Sequence, residues 1–165
     1  MSGVIISTYL IFILLSLSAG GAGSLATKSG LREWYPSLVK PAWTPPGWLF
    51  APVWTILYVL MGTAAATVYL ASTGSIQVVL TLLFILHLAV NASWPYVFFK
   101  KQSPALAFYV ILLLWMFVLV LTFLFYFVST LAGILFVPYL IWTSYALTLN
   151  AGIMGLNPRF HDHAA

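Results

Sequence analysis

The residues best able to do chemistry lie on one face of the third apolar run. His87 and Asn91 stand four residues apart, and Trp94 and Pro95 continue the same helical stripe. A neutral imidazole beside an amide suits hydrogen bonding to a neighbouring helix, and equally suits a polar wall facing into a cavity; spacing leaves both open. Imidazole is also the usual nitrogen donor to haem-type iron, which makes His87 a candidate axial ligand, although no second ligand is visible. In the last apolar run, Tyr139, Thr143, Ala146 and Asn150 recur at helical spacing, with Pro138, Trp142 and Tyr145 on the adjoining face. In the second run Trp54, Tyr58, Met61 and Ala65 share a face, and Gly62 with Ala66 offers a neighbouring helix a close approach. The tail from Phe160 to His163 carries two more histidines, read as a solvent-exposed end rather than a metal site.

What is missing narrows the chemistry further. There is no cysteine, which removes disulfides and thiolate nucleophiles. The two acids, Glu33 and Asp162, fall in the first connection and the tail, and the apolar runs hold no Asp, Glu, Lys or Arg. Ion-coupled carriers, proton pumps and voltage sensors usually need such groups in the membrane, and a Schiff-base pigment needs a buried lysine. Triads, carboxylate pairs and phosphate loops are also absent, so no ordinary enzyme is indicated. A ligand held inside this chain would be apolar, flat or aromatic, fixed by a few neutral polar groups.

The elements that position these residues follow from composition. Of 165 residues 63% are hydrophobic and 5% charged, with a mean hydropathy of +1.08, well outside the balance of soluble domains. Apolar runs of about 23 residues at 4–26, 48–70, 76–98, 104–127 and 131–153 would each rise roughly 35 Å as a helix, enough to cross a hydrocarbon core of about 30 Å. The expected fold is therefore an all-α membrane protein, a five-transmembrane-helix bundle forming one domain over 1–165, in contact with the lipid bilayer. The first run resembles a signal-peptide core, but no basic residue precedes it and its apolar character continues past the glycines. It is read as a retained helix whose Ser16, Gly20 and Gly23 form a small-residue stripe. All six basic residues, Lys28, Arg32, Lys40, Lys100, Lys101 and Arg159, fall on one side of the five-span arrangement. The positive-inside rule puts that side, with the carboxyl terminus, in the cytoplasm and the amino terminus outside. These flanks account for the net charge of +4, so nucleic acid is not an expected partner.

The connection over 27–47 is the longest, and it runs into KPAWTPPGWLFAPVW, with three tryptophans and four prolines between Lys40 and Trp54. Trp34, Tyr35, Leu38 and Trp43 are large apolar bodies, so the segment should fold back onto the bundle. Proline fixes φ and biases its predecessor toward extended backbone, making 40–46 a stiff, non-helical strap that turns into the second span at Pro46 and Gly47. The strap is either an interfacial aromatic belt or a lid over a ligand.

Three stretches, WYPSLVKPAWTPPGWLFAPVW, HLAVNASWPYVFF and VPYLIWTSYALTLN, together resemble the TspO/MBR family of tryptophan-rich sensory and translocator proteins, in motif order and over nearly the whole chain. The resemblance implies a five-helix bundle with a folded Trp/Pro-rich first loop, assembled as a homodimer. Its pocket would open toward that loop and bind porphyrins such as protoporphyrin IX and haem as ligands, with no cofactor required. The implied role is a membrane binding or sensory protein in tetrapyrrole regulation or stress response. The alternatives are light- and oxygen-dependent porphyrin degradation, with Trp34 and Trp54 nearest the photochemistry, or transport of porphyrins and other apolar ligands. Matching positions carry the family's pocket onto Trp34, Tyr35, Pro45, Trp54, Asn91, Trp142 and Ala146; Tyr58, His87, Trp94 and Tyr139 join them from the faces described above. The chain departs from the family at His87, where Gln or Asn is frequent, and in having no tyrosine within ALTLNAGIMGLNPR, the stretch leading to Arg159, so the resemblance does not extend to sterol binding.

Overall fold

The computed structural model describes residues 2–158, and among them every regular element is helical. Five helices are long and apolar enough to cross a membrane. They are α1 (Ser2–Leu31), α3 (Gly47–Ala71), α4 (Gly74–Pro95, prolonged by a π turn at Tyr96–Lys100), α5 (Pro104–Val128) and α6 (Thr130–Leu156), with a one-turn helix α2 (Trp34–Ser37) in the first connection. The integral, multi-pass bundle expected from composition is thus the fold.

Helix ends sit where the local chemistry sets them. Ser103 and Ser129 accept from the backbone N–H of Leu106 at 3.3 Å and Ala132 at 3.4 Å, capping α5 and α6, and Pro104 opens α5 where a missing N–H costs nothing. Ser129 is the single residue between α5 and α6, so those helices form a tight antiparallel hairpin. At the end of α4, Pro95 cannot donate to the preceding turn. The helix widens there, and the Lys101 amide reaches the Tyr96 carbonyl at 3.0 Å, five residues back. Serine and threonine hydroxyls within the spans are mostly turned back onto carbonyls three or four residues earlier, as with Ser16 on Phe12 and Thr143 on Tyr139, each at 2.9 Å.

The α1 helix continues to Leu31, beyond the expected end of the first span near residue 26. It continues because it still has a surface to pack against: at Gly30 a Cβ would run into the Phe99 carbonyl of the π turn. The first connection therefore shortens to 32–46. Farther along α1, Gly20 lies against the Tyr58 ring and Gly23 against Pro95, so the small-residue stripe seats α3 and α4. Gly62 of α3 faces α1 backbone directly, where a Cβ would come within 2.6 Å of Ile13 Cα and 2.8 Å of the Phe12 carbonyl oxygen.

The main core lies between α1, α3, α4, α5 and α6, with Met61, Ala64, Ala66, Phe84, Val118, Leu121, Ala132, Phe136 and Tyr139 all at 0% exposure. A second cluster under the strap gathers Trp34, Leu38, Val97, Phe98, Ala107, Leu149 and Ile153. The α5 helix belongs to both clusters through its buried face, while Tyr109, Phe123 and Phe127 point outward.

Because backbone rather than a movable side chain faces Gly62, Gly62→Ala must push α1 and α3 apart. We expect a loss of about 1–3 kcal/mol, read as a lower thermal midpoint in detergent. Gly155→Ala, which meets nothing within 4 Å, should leave the midpoint unchanged.

Candidate functional site

The expected site residues fall into two tiers. The inner tier is a hydrogen-bonded chain across α3, α4 and α6. The Tyr58 hydroxyl donates to Asn91 Oδ1 at 2.7 Å, and Asn91 Nδ2 donates to the Tyr139 hydroxyl oxygen at 2.7 Å. That hydroxyl lies 3.0 Å from His87 Nε2, and His87 Nδ1 lies 3.1 Å from the Phe84 carbonyl. A carbonyl can only accept, so Nδ1 carries the proton, Nε2 accepts from Tyr139, and the direction of every other bond is fixed in turn. Trp54 packs on this chain, its ring 5.6 Å from Tyr58 and 6.1 Å from Tyr139.

His87 and Asn91 thus resolve as a link between helices. The axial-ligand reading of His87 does not fit this arrangement. Both ring nitrogens are engaged, the side chain is 0% exposed, and Phe84, Phe136 and Tyr139 surround it at centroid distances of 5.4–6.0 Å. No lone pair is left facing a space that could admit an iron. Among the described residues no cluster of His, Cys, Asp or Glu could hold a metal ion.

The outer tier lies at the end of the bundle that carries the strap. Trp94 stacks on Phe98 at 5.0 Å, and Trp34 meets Phe98 edge-on at 5.2 Å. Tyr35 packs against Phe99 at 5.7 Å. Trp94 Nε1 donates to Asn150 Oδ1 at 3.0 Å, and Asn150 Nδ2 donates to the Pro104 carbonyl at 2.9 Å, tying α4, α6 and the start of α5. Burial raises the Tyr35 phenol above its ordinary range, with nearby Tyr145 adding to the shift, so Tyr35 presents an uncharged hydroxyl at neutral pH. The Lys40 ammonium lies 4.8 Å from the Tyr35 ring centroid and donates to the Leu38 carbonyl at 3.0 Å.

Between the tiers stands Trp142, with Phe50 edge-on at 6.0 Å and Tyr145 at 5.6 Å. Its indole N–H is enclosed and finds no acceptor among the described residues. Such a buried donor costs about 1–3 kcal/mol. Ala146 follows one turn later on α6 and is partly buried, as is Pro45 in the strap.

The strap itself is clasped to α6. Asn157 Oδ1 accepts from the Val39 amide at 3.0 Å while Asn157 Nδ2 donates to the Val39 carbonyl at 2.8 Å, reproducing the pairing of a neighbouring strand. The Tyr145 hydroxyl donates to the Trp43 carbonyl at 2.6 Å, and Pro41 sits against Gly152. The strap's tryptophans divide by role. Trp34 is buried beneath it, whereas Trp43 and Trp48 are 59% and 73% exposed, the disposition of an interfacial belt. Trp34 and Trp54 lie in different tiers and share no ring contact among those found.

Sequence reasoning missed Phe50, Phe98, Phe99 and the Asn157 clasp as parts of this arrangement. The Asn-Pro pair at 157–158 marks a helix end, but a helix end alone does not disclose which distant backbone it grips.

A five-span bundle with no acidic residue in its spans, enclosing an aromatic and amide column and carrying a proline-stiffened strap, defines a multi-pass membrane protein with an aromatic, uncharged interior. The sequence model of the TspO/MBR family matches residues 12–156, and the chain belongs to that family. It is 44% identical over 154 residues to the tryptophan-rich protein TspO of Chlorobaculum tepidum, covering 93% of this chain and 98% of that one. It is 42% identical over 138 residues to the tryptophan-rich sensory protein of Cereibacter sphaeroides, covering 82% and 85%. The human translocator protein is 39% identical over 123 residues, covering 73% and 72%.

Two substitutions separate the parts of this site. Tyr139→Phe removes the acceptor of Asn91 Nδ2 and the donor to His87 Nε2 and should cost about 1–2 kcal/mol, whereas Tyr58→Phe breaks one bond and should cost about 0.6 kcal/mol; chemical unfolding in mixed micelles gives both values. Asn157→Ala should speed hydrogen exchange at the Val39 amide while leaving amides in the middle of α4 as slow as before.

Proposed function

We propose that this chain is a membrane binding or sensory protein for porphyrin-type ligands, protoporphyrin IX or haem, acting in tetrapyrrole regulation or stress response. The observation that carries the reading is Trp142. Its buried N–H lacks an acceptor, it stands between the two aromatic tiers, and a ligand carbonyl or carboxylate would satisfy it. The walls suit a flat aromatic body. Trp34, Tyr35 and Trp94 in the outer tier, Trp54 in the inner tier and Phe50 beside Trp142 offer ring faces and edges, and the polar groups among them are neutral.

In the described state the inner tier is filled by its own side chains, with His87 and Tyr139 at 0% exposure, so entry proceeds by displacement of the strap. Pro45 and the neighbouring prolines keep the strap's shape as it moves, Ala146 leaves room beside Trp142, and Lys40 and Arg32 at the rim would meet the ligand's propionates. We place this basic end in the cytoplasm, by the positive-inside rule, and a homodimer as the assembled form. The names of the relatives, sensory and translocator proteins, agree with a ligand-responsive membrane protein.

The test is a titration with protoporphyrin followed by its Soret absorbance. Wild type should bind saturably, and Trp142→Phe combined with Trp54→Phe should weaken affinity by about tenfold, equivalent to about 1.4 kcal/mol. Unchanged affinity in the double variant would overturn the assignment of the pocket.

A further inference from the structure

Apart from the central column, the outer surface carries a groove of about 340 Å³ between α1 and the π turn, lined by Ala22, Leu25, Ala26, Tyr96 and Lys100. It lies at the basic end of the bundle. Lys28 follows Leu25 by one helical turn, and Lys101 follows Lys100. The floor is apolar and belongs to a membrane-spanning helix, so acyl chains are its ordinary surroundings. The head of the groove is different. Lys100 is exposed, with its ammonium 5.2 Å from the Tyr96 ring centroid, and no carboxylate lines the groove. Glu33 is the only acid among the described residues, and it lies in the connection after α1. The π turn creates this arrangement by carrying the chain beyond Pro95 with Lys100 set over Tyr96.

We propose that this groove is a binding site for an anionic phospholipid of the surrounding bilayer, its phosphate on Lys100 and one acyl chain along Ala22, Leu25 and Ala26. Charge complementarity selects the occupant. A lysine at the membrane interface, held on an aromatic ring and lacking an acidic partner, favours a headgroup of net negative charge over a zwitterionic one, whose phosphodiester is offset by its own ammonium. The apolar floor favours a lipid over free phosphate. A second copy of this chain would present spans that carry no acid and so would leave the ammonium uncompensated.

The experiment uses the full chain in neutral maltoside micelles, with lipid occupancy read by native mass spectrometry during titration with dioleoyl phosphatidylglycerol or dioleoyl phosphatidylcholine. Phosphatidylglycerol should be retained in preference, and inorganic phosphate at matched concentration should not displace it. Lys100→Gln should weaken retention roughly fivefold, the effect of about one lysine near an anionic surface. Lys101→Gln, outside the groove, should weaken it less. Ala22→Leu fills the floor at an exposed position without changing charge, and should reduce occupancy while thermal stability without added lipid is kept. Equal retention of the two lipids, displacement by inorganic phosphate, or occupancy unchanged in both Lys100→Gln and Ala22→Leu would overturn the proposal. So would an Ala22→Leu variant whose subunit count changed while its lipid occupancy did not, since that outcome makes the groove a contact between chains.

Discussion

A hydrocarbon solvent offers polar groups nothing, and the interior of this bundle is organised by that constraint. Tyr58, Asn91, Tyr139 and His87 satisfy one another in sequence, and the last proton is delivered to the Phe84 carbonyl, which can only accept. Each helix that contributes to this chain is thereby held in rotation as well as in position. A turn of α6 that moved Tyr139 away would leave Asn91 Nδ2 and His87 Nε2 unpaired together in a medium where neither finds water. Apolar packing around the chain supplies contact, while the directed bonds select one of the many packings that greasy helices could adopt.

The same constraint explains the separation of the two tiers. Near the bilayer centre, polar groups are few, uncharged and mutually paired. Toward the strap, hydrogen bonds involve main-chain carbonyls at Pro104, Val39 and Trp43, left available where helices end and proline interrupts regular structure. Trp142 stands at the join, with an enclosed donor that neither tier satisfies. The strap is held by gripping α6 rather than by filling the interior, so shape comes from proline stiffness and attachment comes from a few discrete bonds.

Fold class and span order were legible in the sequence because hydrophobicity and charge exclusion act on whole segments, and the absence of acid or base from five long runs admits few alternatives. Faces were legible too. His87 with Asn91, and Tyr139 with Thr143 and Asn150, lie at helical spacing and are buried on one side as that spacing requires. Pairing between faces was less accessible. Spacing left His87 free to be a helix link or an iron ligand, and only the position of Tyr139 on another helix, 52 residues away, decides between them. Phe98 and Phe99 were obscured because their orientation depends on the π turn after Pro95, which changes the periodicity that a sequence pattern relies on. Asn157 was obscured because its partner is backbone, and backbone carries no residue-type signal.

The clasp between Val39 and Asn157 joins residues 118 positions apart, the first connection to the closing residues of the last span. A ribosome delivers the strap to the membrane long before it delivers α6, so the strap must wait unfastened while three further spans are inserted. Strap fastening is consequently a late event in biogenesis, and a chain truncated within α6 could place four helices in the bilayer yet leave its aromatic interior uncovered.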